Sequence, residues 1–230
     1  MAVNRIVWFG DSWTAGVKPS ITAFPISVTN SLGLDYVNFG KGGLTYNQIE
    51  QLFIEKYNSN FFSTQDAIVF CLTSSYRQRL PHKDGEIDLE WRTIIDNHKE
   101  LVVELANDQF CSFMSFKAIN LIYFMCLAKN LTCYFVNAFY PLTTVDNILT
   151  PEDVWLKPYT STLSDSLFDV FDPEPAINDT PRFSATKWLS HKKKIDQFLI
   201  PGDGHPNQLG NDTIAKELTD ILKSRLYGTR

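Results

Sequence analysis

The sequence predicts an α/β protein in which a mostly parallel sheet is covered by helices on both faces. Short apolar runs recur at Asn4–Phe9, Asp35–Phe39, Asp66–Leu72 and Leu131–Asn137. Segments with helical spacing separate them, so strand and helix alternate as in βαβ units. The third run, with Ala67, Ile68, Val69, Phe70 and Cys71, is apolar almost throughout, as in a strand buried on both faces.

Each element has a local reason. Asn4–Phe9 ends at Gly10-Asp11-Ser12, a strand running into a tight turn. Pro25–Leu32 carries Ile26, Val28 and Leu32 at helical spacing, with Gly33 placed to end the helix. Asp35–Phe39 leads into the glycine cluster Gly40, Gly42 and Gly43. Thr45 caps a helix whose apolar face is Ile49, Leu52, Phe53 and the stem of Lys56. Residues 73–92 are polar and read as irregular. Helices are expected over Thr93–Asn107 and Phe110–Lys129. Residues 138–195 carry Pro141, Pro151, Pro158, Pro173, Pro175 and Pro181, which break any long element. Asn207–Leu226 closes the chain as an amphipathic helix through Leu209, Ile214, Leu218, Ile221 and Leu222.

The chain has 230 residues, 44% of them hydrophobic and 20% charged, and a net charge of -5. That suits one domain over residues 1–230, with irregular regions near 73–92 and 138–195. It excludes collagen-like, disulfide-scaffold and disordered classes. An acidic balance argues against sequence-independent nucleic-acid binding, which needs a basic face. Phe110–Ala128 is the one membrane candidate. Lys117 and Asn120 interrupt it, so a buried helix is expected and no membrane span. The N-terminus lacks a secretory apolar region, pointing to a cytoplasmic or virion-associated protein. Cys71, Cys111, Cys126 and Cys133 each lie in an apolar stretch and read as buried thiols in a reducing compartment.

In parallel sheets, ligands gather beyond the carboxyl ends of the strands. Ser12, the Gly40–Gly43 turn and Thr73–Arg77 all follow strands, and Asp203-Gly204-His205-Pro206-Asn207 precedes the last helix. A serine, a glycine turn and an Asp–His pair are the parts that acyl transfer needs. A serine hydroxyl is a weak nucleophile without a base, and the base needs a partner that fixes its tautomer. Backbone N–H groups at a glycine turn stabilise an oxyanion. Asp11 reads as a turn-stabilising side chain. Neither a P-loop nor a dinucleotide-binding frame fits the glycines, and His82, His98 and His191 show no metal spacing.

Gly10-Asp11-Ser12 with Trp13-Thr14-Ala15-Gly16 resembles the first block of the SGNH (GDSL) hydrolases. Asn38-Phe39-Gly40-Lys41-Gly42-Gly43-Leu44-Thr45 resembles their second block, and Asp203-Gly204-His205-Pro206-Asn207 with Gly210 their last. The resemblance implies a three-layer α/β/α sandwich with a flavodoxin-like sheet. It implies Ser12 as nucleophile, His205 as base, Asp203 as its support and Gly43 as an oxyanion donor, without metal or cofactor. The family's third block, Gly-x-Asn-Asp, is replaced by Leu72-Thr73-Ser74-Ser75-Tyr76-Arg77, which lacks the asparagine donor. Ser75 or Thr73, through a hydroxyl, and Arg77, through its guanidinium, are the alternatives. Asp203 stands two residues before His205, where the commoner family spacing is three.

The expected activity is ester hydrolysis of small acyl groups, above all O-acetyl groups on carbohydrate, so that the partner is a small ester or an acylated glycan. The look of the third block and the missing secretory signal suggest a phage-encoded member. Two alternatives stay open: a non-catalytic glycan-binding or virion-structural module, and an O-acyltransferase. Arg77, Arg79 and Arg92 border a loop that is either solvated or an anion-binding lid. Trp13, Trp155 and Trp188 are either core or sugar-stacking residues.

Overall fold

The computed structural model describes residues 3–72, 78–82, 85–89, 108–137, 162–164, 196–203 and 205–228. Its strands are β1 (Arg5–Phe9), β2 (Asp35–Asn38), β3 (Asp66–Leu72), β4 (Gln78–His82), β5 (Gly85–Leu89), β6 (Thr132–Asn137) and β7 (Thr162–Ser164). Its helices are α1 (Ser12–Ala15), α2 (Phe24–Leu32), α3 (Tyr46–Asn58), α4 (Asp108–Ala128) and α5 (Gln208–Tyr227).

The main sheet runs β2-β1-β3-β6-β7 with every pair parallel. The first strand lies inside the sheet, so the order reverses beside it. That reversal is the flavodoxin-like pattern, and it opens a crevice at the carboxyl ends of β1 and β3. Side chains alternate across the sheet and build a core on each face. Ile6, Trp8, Ala67, Val69 and Cys71 pack with Phe24 and Val28 of α2 and with Ile214, Leu218 and Leu222 of α5. Val7, Phe9, Ile68, Phe70 and Phe135 pack with Ile49 and Phe53 of α3 and with Ile119 and Ile122 of α4. The three layers follow.

Local chemistry sets the helix ends as expected. Gly33 closes α2 in the left-handed conformation at φ 67°. Thr45 and Gln48 exchange hydrogen bonds in a capping box that starts α3. At the amino ends of β1 and β3, Asp66 accepts from Arg5 Nε at 2.8 Å, Arg5 Nη2 at 2.6 Å and the Ser63 N–H at 2.8 Å. That pair raises the guanidinium pKa of Arg5 and locks the sheet end remote from the crevice.

Two regions differ from the sequence reading. Within 73–92, β4 and β5 form an antiparallel hairpin, pairing Gln78 with Leu89 and His82 with Gly85. Pro81 hides the strand pattern, since proline is confined to edge strands and bulges. Within 138–195, Thr162–Ser164 supplies the fifth parallel strand. The helix expected over Thr93–Asn107 lies outside the described residues. Phe110–Ala128 falls in α4, and no described helix is long and apolar enough to cross a membrane.

Candidate active site

Ser12 begins α1 immediately beyond β1. Asp11 is fully buried and caps this short helix: its carboxylate accepts from the Trp13 N–H at 3.0 Å. Its carbonyl accepts from the Thr14 and Ala15 N–H groups. The turn-stabilising reading of Asp11 describes this geometry. Trp13 is buried in the core under α2, which removes it from sugar stacking; Trp155 and Trp188 lie outside the described residues. Gly10 fits because a Cβ there would lie 2.1 Å from Thr14 Oγ1 and 2.9 Å from Cys71 Cβ.

The glycine turn is strapped to α1. Asn38 donates through Nδ2 to the Thr14 carbonyl at 2.8 Å and accepts from the Gly40 N–H at 2.7 Å. The Lys41 N–H donates to the Gly10 carbonyl at 3.1 Å. A Cβ on Gly40 would stand 2.8 Å from the Ala15 nitrogen, so only glycine allows this approach. Gly43 adopts φ 74°, the left-handed region that glycine enters without strain. No acceptor is found among the described residues for the N–H of Ser12 or of Gly43.

His205 comes from a tight loop before α5. Its carbonyl accepts from the Ile200 N–H at 2.8 Å, and a bridge joins Leu199 to Pro206. Asn207 caps α5 through Gly210 and ties the loop by donating to the carbonyls of Gln197 and Leu199. This loop brings His205 Nε2 to 2.8 Å from Ser12 Oγ, across 193 positions of sequence. On the other side of the ring, His205 Nδ1 hydrogen-bonds Asp203 Oδ1. With the ring proton on Nδ1, facing the carboxylate, Nε2 is the nitrogen that can accept from the serine hydroxyl. The imidazole is 26% exposed and the Asp203 side chain 37%, so water reaches this edge of the group.

Of the residues expected at the site, Ser12, His205 and Asp203 stand in hydrogen-bond sequence, with the Gly43 turn strapped alongside α1. Ser75, Arg77 and Thr73 lie outside the described residues, as does Arg92, and the side chain of Arg79 is not described. Three positioning side chains were missed. Asn38 lay within a quoted block but carried no assigned role. Asn211, buried in α5, accepts from the Phe24 N–H at 2.9 Å and donates to the carbonyls of Pro206 at 3.2 Å and Asn207 at 3.0 Å. Gln208 adds a second tie, accepting from the Thr22 N–H at 2.9 Å. The available signal was a polar residue on the same helix face as Ile214, Leu218 and Leu222.

No protein-family model matches the chain, and no curated protein matches it in sequence. Solved structures do. A G-D-S-L lipolytic family protein from Veillonella parvula is 14% identical at TM-score 0.52, over 96% of this chain and 99% of its own. The lipase Lip_vut3 from a goat rumen metagenome is 12% identical at TM-score 0.57, over 97% of this chain and 100% of its own. The YXIM protein of Bacillus subtilis is 12% identical at TM-score 0.56. This chain is covered completely in that match but spans only 59% of the Bacillus protein. The chain has the SGNH-hydrolase fold, a three-layer α/β/α sandwich.

Proposed function

We propose that the protein is a serine ester hydrolase. The observation that carries the reading is the hydrogen-bond sequence Ser12 Oγ, His205 Nε2 and His205 Nδ1 with Asp203. His205 takes the hydroxyl proton as Ser12 Oγ bonds to the ester carbonyl carbon. The negative oxygen then draws on the N–H groups of Ser12 and Gly43, joined by Ser75 or Arg77 as a further donor. Collapse breaks the bond to the alcohol oxygen, which leaves with the proton from His205. Water, deprotonated by the same imidazole, cleaves the acyl-serine and releases the acid.

The reading extends to small acyl groups on carbohydrate as the substrate class, as the family resemblance suggests. An open, water-facing edge at His205 and Asp203 supports a polar alcohol over a buried lipid chain. A fluorophosphonate probe tests the nucleophile, because it bonds only to an activated serine. The expected result is a single adduct on Ser12, absent in Ser12→Ala together with hydrolysis of 4-nitrophenyl acetate. Full activity in Ser12→Ala overturns the proposal.

A further inference from the structure

Three glycines of the 40–43 turn sit together, and two have a structural cause. Gly40 is required by its close approach to Ala15, and Gly43 by its positive φ. Gly42 has neither. The Leu44 N–H reaches back to the Lys41 carbonyl at 3.4 Å, which makes Gly42 the second residue of a four-residue turn. With φ 74° at the third residue, the turn has type II character, where the second position accepts any side chain and even favours proline. Nor does packing against the described residues demand glycine there. Among the described residues outside its chain neighbours, a Cβ on Gly42 would meet one atom within 4 Å: the Cβ of Ser12, at 3.9 Å. That is ordinary van der Waals contact.

Among the described residues, a side chain at position 42 would therefore start beside Ser12 and clash with nothing. From this placement we propose that Gly42 is a specificity-determining residue, whose missing side chain clears a strip of backbone beside Ser12 for an ester with a bulky substituent. The inference rests on Ser12 as nucleophile and deepens that reading by naming the substrate feature. The turn backbone passes close to the serine, so any group attached to the scissile carbonyl on that side lies against residue 42. A methyl or isopropyl group there takes up volume that the substituent needs. Exclusion of this kind scales with side-chain size and acts on bulky esters first.

The test compares the full-length protein with Gly42→Ala and Gly42→Val. One series holds the alcohol fixed as 4-nitrophenol and varies the acyl group from acetyl to a branched acyl. The other holds acetyl fixed and varies the alcohol from ethanol to a sugar. The expected result is that the bulky-to-small ratio of kcat/KM falls in one series, stepwise from glycine to alanine to valine, by about tenfold or more for valine. The responding series identifies which side of the ester crosses Gly42. A ratio unchanged in both series overturns the proposal, as does equal loss on small and bulky esters. Thermal unfolding shows whether each variant is folded, and the alanine variant keeps the comparison decisive if valine unfolds the turn. Failure of the unmodified protein to form a Ser12 adduct with a small fluorophosphonate is a different outcome: it overturns the hydrolase reading, and this inference with it.

Discussion

Ser12 and His205 are joined by a 2.8 Å hydrogen bond although 193 positions separate them. Neither residue reaches the other by local geometry. Ser12 is fixed by a capped turn after β1, and His205 by a loop clamped at Asn207 ahead of α5. The contact exists because α2 and α5 pack on the same face of the sheet.

If the proposed mechanism holds, removing His205 should cost most of the reactivity. We predict that His205→Ala slows fluorophosphonate labelling of Ser12 by about 10³-fold or more, because the hydroxyl loses its proton acceptor. Asp203→Asn should cost about 10- to 100-fold less than that, since its carboxylate is partly hydrated and screened. Stopped-flow or mass-resolved labelling rates measure both. Equal labelling in all three proteins would exclude His205 as the base.

Asn211 is expected to position the His205 loop as well as to stabilise the fold. Asn211→Leu leaves the Phe24 N–H without its buried acceptor, a loss of about 1–3 kcal/mol in denaturant unfolding. It also releases the carbonyls of Pro206 and Asn207 beside His205, so kcat should fall more than KM rises. Asn211→Asp keeps the acceptor for Phe24 but sets oxygen against those two carbonyls. It should therefore hold less of the kcat than Asn211→His, whose ring can still donate. A stability loss with kcat unchanged would reduce Asn211 to a structural role.

Gly40 and Gly33 should respond differently to alanine. At Gly40 the new Cβ stands 2.8 Å from the Ala15 nitrogen and 2.9 Å from Thr14 Cβ, both tighter than real contacts. The expected cost is about 1–3 kcal/mol, with the turn forced off α1 and slower Ser12 labelling. At Gly33 nothing described lies within 4 Å, and only the φ of 67° opposes alanine. That costs about 1–2 kcal/mol and leaves labelling unchanged at a temperature where the variant is folded.

Cys71 lies buried behind the turn that carries Ser12, and burial pushes its thiol up to about 12. The thiol is therefore neutral at physiological pH and unreactive, since the thiolate is the nucleophile. Iodoacetamide at pH 8 should leave the Cys71 peptide unmodified in the folded protein and modify it after denaturation. The sign for stability follows. The folded state holds this proton more tightly than the unfolded chain, so the contribution is lost as pH rises above the ordinary thiol range toward about 12. Rapid native modification of Cys71 would contradict its burial.

Much of the fold was legible from the chain because its causes are local. Val69 and Phe70 sit in an unbroken apolar run, and Thr45 with Gln48 spells a helix start in four residues. Gly33 marks a helix end for the same reason. Segments with conflicting signals resisted. Pro81 masked the β4–β5 pairing, and the prolines of 138–195 hid the short β7, which exists only by pairing with β6.

The site divides along the same line. By itself, the sequence determined the residue types and their order: a serine after the first strand, a glycine turn after the second, and an Asp–His pair before the last helix. Tertiary structure alone decided that Ser12 Oγ meets His205 Nε2, that Asn38 straps the glycine turn to α1, and that Asn211 ties the His205 loop to Phe24. It also separated Gly42 from its neighbours, since the reason for a glycine lies in what a Cβ would touch. A sequence pattern records propensities over a few residues. A 2.8 Å contact across 193 positions depends on how α2, α5 and the sheet pack together, and no stretch of the chain encodes that distance alone.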